Sequence, residues 1–237
     1  MSDNSENCCP TGFMDALNLQ LHRGPDDSGI WIDDMFTFGH RRLSIIDLDS
    51  KANQPMLSKC GKYVLVFNGE IYNYQELKID LLSKGYAFTT KSDTEVLMYS
   101  FIEDGISCLQ SFIGMFSFAI YDGNKGEFFL ARDRLGIKPL YYAKDNDKFI
   151  FSSEIKSILA LDNKKRNINT RAISSYLSFR YPIMDDTFFE GVKSLSPAHY
   201  IKISNNDYEI SEYWNITDKF NEQKNDRGEE YYLEKLR

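Results

Sequence analysis

The segment VLVFNGEIYN, residues 64–73, decides how this chain of 237 residues is interpreted. Its first half is rich in β-branched and aromatic residues and predicts a strand that ends at Asn68-Gly69, a pair that tolerates positive φ. Asn-Gly after a strand is most often a hairpin turn. The Asn68 amide beside the Gly69 backbone N–H also gives two neutral donors at one point, as a tetrahedral oxyanion requires. The segment alone therefore leaves a turn and an oxyanion site as alternatives.

The composition indicates a globular protein. The chain is 42% hydrophobic and 14% aromatic, well away from disordered composition. Its net charge of -7 is spread along the sequence, so no nucleic-acid partner and no membrane partner is expected. No stretch approaches the roughly 18 apolar residues of a membrane span, and the polar N-terminus shows no secretory signal. We expect a cytoplasmic protein.

The cysteines and histidines give no metal-ligand spacing. The chain has four cysteines and three widely separated histidines. Without an export signal, free thiols are expected rather than disulfides. The sequence therefore predicts no metal site.

Strands come in runs and helices in blocks, which is typical of an α+β domain with mainly antiparallel sheets. Helices are predicted at 14–21, 74–84, 93–104 and 170–179, the third after the capping box Ser92-x-x-Glu95. Strands are predicted around 35–40, 62–67, 126–131, 140–143, 148–152, 187–189 and 199–203. The charged segment 221–230 is typical of a linker. The sequence contains neither GxxxxGK nor GxGxxG, the phosphate-binding glycine loops.

Eight motifs occur in a fixed order along the chain. They are HRGPDDSGIW (22–31), GHRRLSIIDL (39–48), NQPM (53–56), VFNGEIYNY (66–74), SDTEV (92–96), GMFSFAIYD (114–122), ARDRLGIKPLYY (131–142) and SEIKSIL (153–159). In this order they resemble the glutaminase domain of glutamine-hydrolysing asparagine synthetases, a class II glutamine amidotransferase of the N-terminal-nucleophile hydrolase type. The resemblance covers residues 14–216. It leaves 1–13 as an atypical N-terminal segment and 217–237 as a linker and the start of a synthetase domain.

The resemblance implies a four-layer αββα sandwich, here incomplete at the N-terminus because the family's first strand has no counterpart. In the family, an N-terminal cysteine attacks the glutamine carboxamide with its own α-amine as base. Ammonia then passes to a second domain, which uses ATP and Mg and activates aspartate. The resemblance therefore implies L-glutamine as the ligand, no cofactor in this chain, and a synthetase polypeptide or a second copy of the chain as protein partner.

The resemblance also gives roles to named residues. Arg42 matches the arginine that pairs with the glutamine α-carboxylate. Asn68 and Gly69 match the oxyanion hole, and Glu70 and Asp93 match the carboxylates that hold the α-ammonium. The backbone after Arg42 is implied to line the same pocket, at Leu43, Ser44, Ile45 and Ile46.

Structural interpretations of the same residues remain open. An arginine pair beside a strand is most often an ion-paired edge, and Asp93 at a helix start is explained by the helix dipole. Glu70 can cap a turn. The cluster Arg132-Asp133-Arg134 is interpreted as structural, with no catalytic role.

The nucleophile and the synthetase signature are not found in the sequence. The family begins Met-Cys-Gly-Ile, whereas this chain begins Met-Ser-Asp-Asn. Cys8 and Cys9 are poor candidates, since neither precedes Gly-Ile and Pro10 breaks any strand there. The family's SGGxDSS loop does not occur. By family the protein is an asparagine synthase, a carbon–nitrogen ligase, but we expect this chain alone to be inactive. The alternatives are a non-hydrolytic glutamine-binding regulatory module and a docking subunit of a separate synthetase.

Overall fold

Two β layers form the middle of the molecule in a computed structural model that describes residues 9–43, 50–145, 148–162, 164–205, 207–218 and 234. In chain order the helices and strands are α1 (Phe13–Asn18), β1 (Asp27–Ile32), β2 (Thr37–Arg42), β3 (Met56–Leu57), β4 (Tyr63–Ile71), α2 (Tyr74–Ser83), α3 (Asp93–Asp104), β5 (Gly114–Asp122), β6 (Glu127–Arg132), β7 (Tyr141–Asp145), β8 (Lys148–Ser152), α4 (Ile155–Leu161), α5 (Thr170–Phe179), β9 (Lys193–Ser194), β10 (His199–Ser204) and β11 (Asp207–Glu212). Short 3₁₀ turns cover Ser50–Ala52 and Gly105–Gln110.

The first β layer is a six-stranded sheet in the order β11-β10-β6-β5-β4-β3. The second layer consists of the hairpin β1-β2 and the three-stranded sheet β8-β7-β9. Every pairing between these strands is antiparallel. The α+β prediction with mainly antiparallel sheets is confirmed.

Alternation along β4 explains how the layers pack. Leu65 and Phe67 lie on the face that packs against α3, in a core cluster that contains Leu97. Val64 and Val66 lie on the opposite face and pack against the second β layer, because successive strand residues point to opposite faces. The sheet is therefore buried on both sides.

Helices cover the outer faces of both layers. Helices α2 and α3 cover the six-stranded sheet. On the other side, Ile158 of α4 packs against Ala143 of β7. Ser157 of α4 donates a hydrogen bond to the carbonyl of Ala16 in α1, at 2.8 Å. The architecture is the αββα sandwich that the resemblance implies. Among the described residues, no helix has the length and apolar character needed to cross a bilayer.

The second β layer is divided between β2 and β8. Strand β2 pairs with β1 and strand β8 with β7, and no described strand lies between β2 and β8. Both strands line one cavity, across which the rings of Phe38 and Phe151 meet with centroids 5.6 Å apart.

Several element predictions are confirmed and others need correction. Helices α3 and α5 occupy the predicted ranges 93–104 and 170–179. The strand predicted at 62–67 does not end at Asn68, since β4 continues to Ile71 opposite Gly114 in β5. The strand predicted at 187–189 is only an isolated bridge at Phe189. The predicted linker 221–230 lies outside the described residues.

Candidate functional site

A cleft of about 1240 Å³ opens between the two β layers. Arg42, Asn68, Gly69, Glu70 and Asp93 all line it. These residues come from β2, β4 and the first turn of α3, and are spread over more than 50 positions of the sequence. The structure therefore brings the predicted binding residues of the described chain together in one place.

The alternation of β4 directs two of these side chains into the cleft. Asn68 and Glu70 share the face of Val66, which points toward the second β layer, because strand residues repeat with a period of two. The Asn68 Nδ2 group donates a hydrogen bond to Ser153 Oγ of that layer at 3.3 Å. The amide and the carboxylate thus reach the cleft through regular strand geometry rather than through a turn.

The backbone N–H of Gly69 points to the side of β4 opposite β5, where no described strand pairs with Gly69. Tyr72 N donates to the carbonyl of Ile113 at 2.7 Å. Because hydrogen-bonded pairs alternate along an antiparallel ladder, the even-numbered residues of β4 are the ones whose backbone bonds to β5. The N–H groups of odd-numbered residues therefore point away from β5. On that side, Phe67 N binds Gln54 Oε1 at 2.6 Å and Ile71 N binds Asp93 Oδ2 at 3.0 Å. Gly69 N–H lies between these two and has no partner among the described residues.

Close approach of β5 explains why residue 69 is glycine. A Cβ at this position lies 2.2 Å from the carbonyl oxygen of Met115 and 2.6 Å from the Cα of Phe116. Any side chain therefore pushes β4 away from β5 at the site. Gly69 allows β4 and β5 to approach closely, and β4 continues through residues 68–69. The hairpin interpretation of these residues is therefore wrong.

Arg42 ends β2 and is buried, at 8% exposure. Its guanidinium donates to the side-chain oxygen of Asn53, and Asn53 in turn donates to Asp27. Gly24 lets the segment before β1 lie against β2, because a Cβ at residue 24 would lie 2.5 Å from the backbone nitrogen of Arg42. The cation is therefore held in place by neighbours that also line up β1 and β2.

Asp93 and Glu70 place two carboxylates in the cleft. Asp93 is 4% exposed, and burial raises the pKa of its carboxyl from the ordinary 3.8 to about 6. Hydrogen bonds from the backbone of Ile71 and Thr94 oppose this rise, and the neighbouring Glu70 carboxylate adds to it. A cationic group placed between the two carboxylates relieves both their repulsion and their burial cost. Arg42 therefore supplies an anchored cation to the cleft, and Glu70 and Asp93 supply two neighbouring carboxylates.

The backbone predicted to follow Arg42 is only partly described. Leu43 lines the cleft and is 54% exposed. Ser44, Ile45 and Ile46 lie outside the described residues, so their predicted contact with the ligand stays a prediction.

Several residues that line the cleft were not predicted from the sequence as part of the site, among them Ser153, Gln20 and Arg23. Ser153 contacts Asn68, and Gln20 and Arg23 line the cleft near it. Ser153 begins the motif SEIKSIL and Arg23 lies in HRGPDDSGIW, whereas Gln20 lies outside the eight motifs. No local feature of the sequence indicates that these segments meet near Asn68. Their roles depend on the long-range fold.

None of the three described cysteines is a lining residue of the cleft, although Cys9 directly precedes Pro10, which is one. Cys60 is exposed in the turn before β4. Cys108 is buried in the core, where burial raises its pKa above the ordinary thiol range. Cys9 is half-buried, and none of these three lines the cleft. Cys8, the other predicted candidate, lies outside the described residues.

The cluster at Arg132 and Asp133 has structural contacts. The buried Asp133 carboxylate accepts backbone hydrogen bonds from Phe116, Leu135, Ile137 and Lys138 at 2.9 to 3.1 Å. Arg132 donates to the carbonyls of Gly136, Lys138 and Leu195. These bonds fix the turn after β6, in agreement with the structural interpretation. Among the described residues, no group of three or more His, Cys, Asp or Glu side chains is arranged to hold a metal ion.

Comparison with known proteins places this geometry in context. A family model described as glutamine amidotransferase domain matches residues 3–214. The Bacillus subtilis (strain 168) protein named asparagine synthetase [glutamine-hydrolyzing] 3 is 38% identical over 218 residues, covering 88% of this chain and 35% of the relative. Asparagine synthetase [glutamine-hydrolyzing] 2 of the same organism is 39% identical over 214 residues, covering 87% and 28%. The chain spans about a third of the length of these relatives.

A solved structure shares the fold. The structure titled "Structure of the allosteric regulatory enzyme of purine biosynthesis" aligns over 75% of this chain and 35% of its own chain. The TM-score is 0.55 and the sequence identity is 21%. This likeness supports the sandwich architecture at the level of fold.

Proposed function

The chain belongs to the family of glutamine amidotransferase domains, and from this premise we propose that its cleft binds free L-glutamine. Arg42 pairs with the α-carboxylate, and Glu70 and Asp93 hold the α-ammonium. The Asn68 amide and the Gly69 N–H receive the oxygen of the side-chain carboxamide. Each part of the ligand thus meets a group of complementary charge or hydrogen-bonding capacity.

One observation carries the proposal: the unpartnered Gly69 N–H and the Asn68 amide lie in the same cleft as an anchored cation and a carboxylate pair. A free amino acid needs both an anionic and a cationic contact for its α-groups. The additional pair of neutral donors suits a neutral carboxamide better than a carboxylate or an aliphatic side chain.

We further propose that the chain represents the glutamine part of an asparagine synthetase. The family resemblance implies that this part supplies ammonia for an ATP-dependent conversion of aspartate to asparagine. The names and the 38–39% identity of the Bacillus subtilis relatives support this. On this proposal the chain works with a synthetase polypeptide that provides the ATP and aspartate sites.

The positions of the described cysteines favour binding without hydrolysis. Amide hydrolysis by this family's route needs a thiolate at the oxyanion donors. Cys9, Cys60 and Cys108 do not line the cleft, and burial keeps the Cys108 thiol protonated. We therefore propose that this chain binds glutamine but does not release ammonia from it.

Calorimetric titration of the purified chain with L-glutamine at pH 7.5 tests the proposal, with ammonia measured in the same samples. We expect a dissociation constant between about 1 μM and 1 mM, as enzymes show for substrates near physiological levels, and no ammonia above the blank. Arg42→Gln should abolish the heat of binding, whereas Arg180→Gln, at an exposed helix end outside the cleft, should leave it intact. Absence of binding in a folded sample contradicts glutamine recognition. Sustained ammonia release contradicts only the non-hydrolytic part.

A further inference from the structure

We propose that Ser153 is a positioning residue that orients the carboxamide of Asn68 in the cleft. This inference rests on the proposed glutamine function and adds a residue to which no role has been given. The Asn68 Nδ2 group donates to Ser153 Oγ at 3.3 Å, although 85 positions separate the two residues. Both side chains line the cleft.

An asparagine side chain has a donor end and an acceptor end of nearly the same shape. If the amide rotates by half a turn, Asn68 presents an oxygen where the ligand carbonyl needs a donor. The Ser153 hydroxyl accepts one Nδ2 proton in the structure, and in this arrangement the second Nδ2 proton stays available to the ligand. Ser153 thus acts on the ligand through Asn68 rather than by contact.

The junction that carries Ser153 is anchored on both sides. Ser152 Oγ accepts from Gln20 Nε2 at 3.1 Å and from the backbone of Glu154 at 3.2 Å. The Glu154 carboxylate lies 2.8 Å from His22 Nε2 and 2.9 Å from Lys156 Nζ. These contacts fix the turn between β8 and α4 against the segment before β1. Ser153 is therefore presented to Asn68 from a held backbone.

The Asn68 backbone is held independently of Ser153. Asn68 lies opposite Ser117 of β5 in the sheet. The preceding carbonyl, that of Phe67, accepts a hydrogen bond from His40 Nε2 at 3.1 Å. Burial lowers the pKa of His40 to about 4, so the imidazole is neutral at pH 7. Removing the Ser153 hydroxyl should consequently change the orientation of the Asn68 amide and leave β4 in place.

Nuclear magnetic resonance of the whole chain tests this contact without any ligand. The side-chain ¹⁵N resonance of Asn68 is assigned by its loss in Asn68→Asp. In Ser153→Ala we expect both Nδ2 protons to shift and to exchange faster with water, and in Ser153→Thr we expect them to stay near their original positions. Ser178→Ala, on the exposed face of α5, serves as the matched control. Unchanged Asn68 side-chain signals in a folded Ser153→Ala protein overturn the inference.

Titrations with L-glutamine and L-norvaline separate this inference from the proposed function. Norvaline keeps the α-groups and lacks the carboxamide. Ser153→Ala should weaken glutamine binding about five-fold, the size of one neutral hydrogen bond, while norvaline binding stays the same. If wild-type protein binds glutamine and Ser153→Ala binds it equally well, the inference fails and the proposed function stands. If wild-type protein binds neither amino acid, the proposed function fails, and the Asn68 signals alone decide whether Ser153 positions the amide.

Discussion

Replacing Asp93 by Asn should stabilise the fold at neutral pH while it removes a ligand contact. Burial raises the pKa of Asp93 to about 6 from 3.8, so ionising this carboxyl costs free energy in the folded state. The difference corresponds to about 3 kcal/mol at pH 7.5, where the residue is ionised in both folded and unfolded chains. The side-chain oxygen of an asparagine can still accept the hydrogen bond from Ile71, which Asp93 accepts at 3.0 Å. We expect Asp93→Asn to raise the free energy of unfolding by about 1–3 kcal/mol at pH 7.5.

The sign of the pH dependence follows from the raised pKa. Below about pH 4, Asp93 is protonated in both states and the stability of the wild-type protein carries no penalty from this group. As the pH rises through 6, the folded protein must ionise a buried carboxyl and loses that stability. The advantage of Asp93→Asn should therefore be largest at pH 7.5 and shrink toward zero near pH 4.

Urea unfolding at pH 7.5, 5.5 and 4 measures this effect. Asp80→Asn is the control, because Asp80 is an exposed carboxylate on α2 whose ion pair with Lys84 is worth little. It should change the free energy of unfolding by less than about 0.5 kcal/mol at every pH. If Asp93→Asn destabilises the protein at pH 7.5, or if its effect is the same at all three pH values, the assignment of a buried Asp93 with a raised pKa is refuted.

Two further substitutions probe the cation and the glycine. Arg42→Lys keeps the charge but loses the forked guanidinium, so calorimetry should show glutamine binding weakened about ten-fold; equal affinity excludes a paired contact with the α-carboxylate. Gly69→Ala places a Cβ 2.2 Å from the Met115 carbonyl oxygen, and urea unfolding should show a loss of about 2–4 kcal/mol. Gly61→Ala, where a Cβ has open space, should cost only about 1 kcal/mol for its positive φ, and equal losses at the two glycines contradict the close-approach explanation.

Local signals in the sequence predicted the helices well. Helix α3 begins after Ser92, whose hydroxyl accepts from the backbone of Glu95 at 3.3 Å, and it ends before Gly105. In a capping box the Glu95 side chain would accept from the backbone N–H of Ser92. Here the Glu95 carboxylate accepts instead from the backbone of Thr89 and Thr90. Such caps depend on neighbours within a few residues, so sequence reasoning reaches them.

The continuation of β4 could not be read from local sequence. Asn68-Gly69 is a strong hairpin signal by itself. The strand continues because β5, more than 40 residues away, brings Gly114 opposite Ile71 and Phe116 opposite Gly69. Partner strands at that distance override turn propensity, since sheet structure depends on its cross-strand neighbours.

The candidate site, too, was only partly predictable from the sequence. The charged and amide residues came from the resemblance, and the structure places Arg42 and Asp93 in the same cleft. Ser153 could not be found, because its contact with Asn68 joins two elements that are far apart in sequence and adjacent only in the folded sandwich. Sequence motifs pointed to residues that the structure places in one cleft, whereas the contacts that orient them required the fold.

The Gly69 backbone amide gives the most direct test of the glutamine site. Its N–H is expected to bind the carboxamide oxygen of the ligand, so L-glutamine should shift the Gly69 amide proton in a ¹H–¹⁵N spectrum of the chain. L-norvaline should leave that proton unchanged while it shifts the amide of Asp93 near the α-ammonium. Binding of glutamine without any change at Gly69, or an equal change with norvaline, contradicts the central claim.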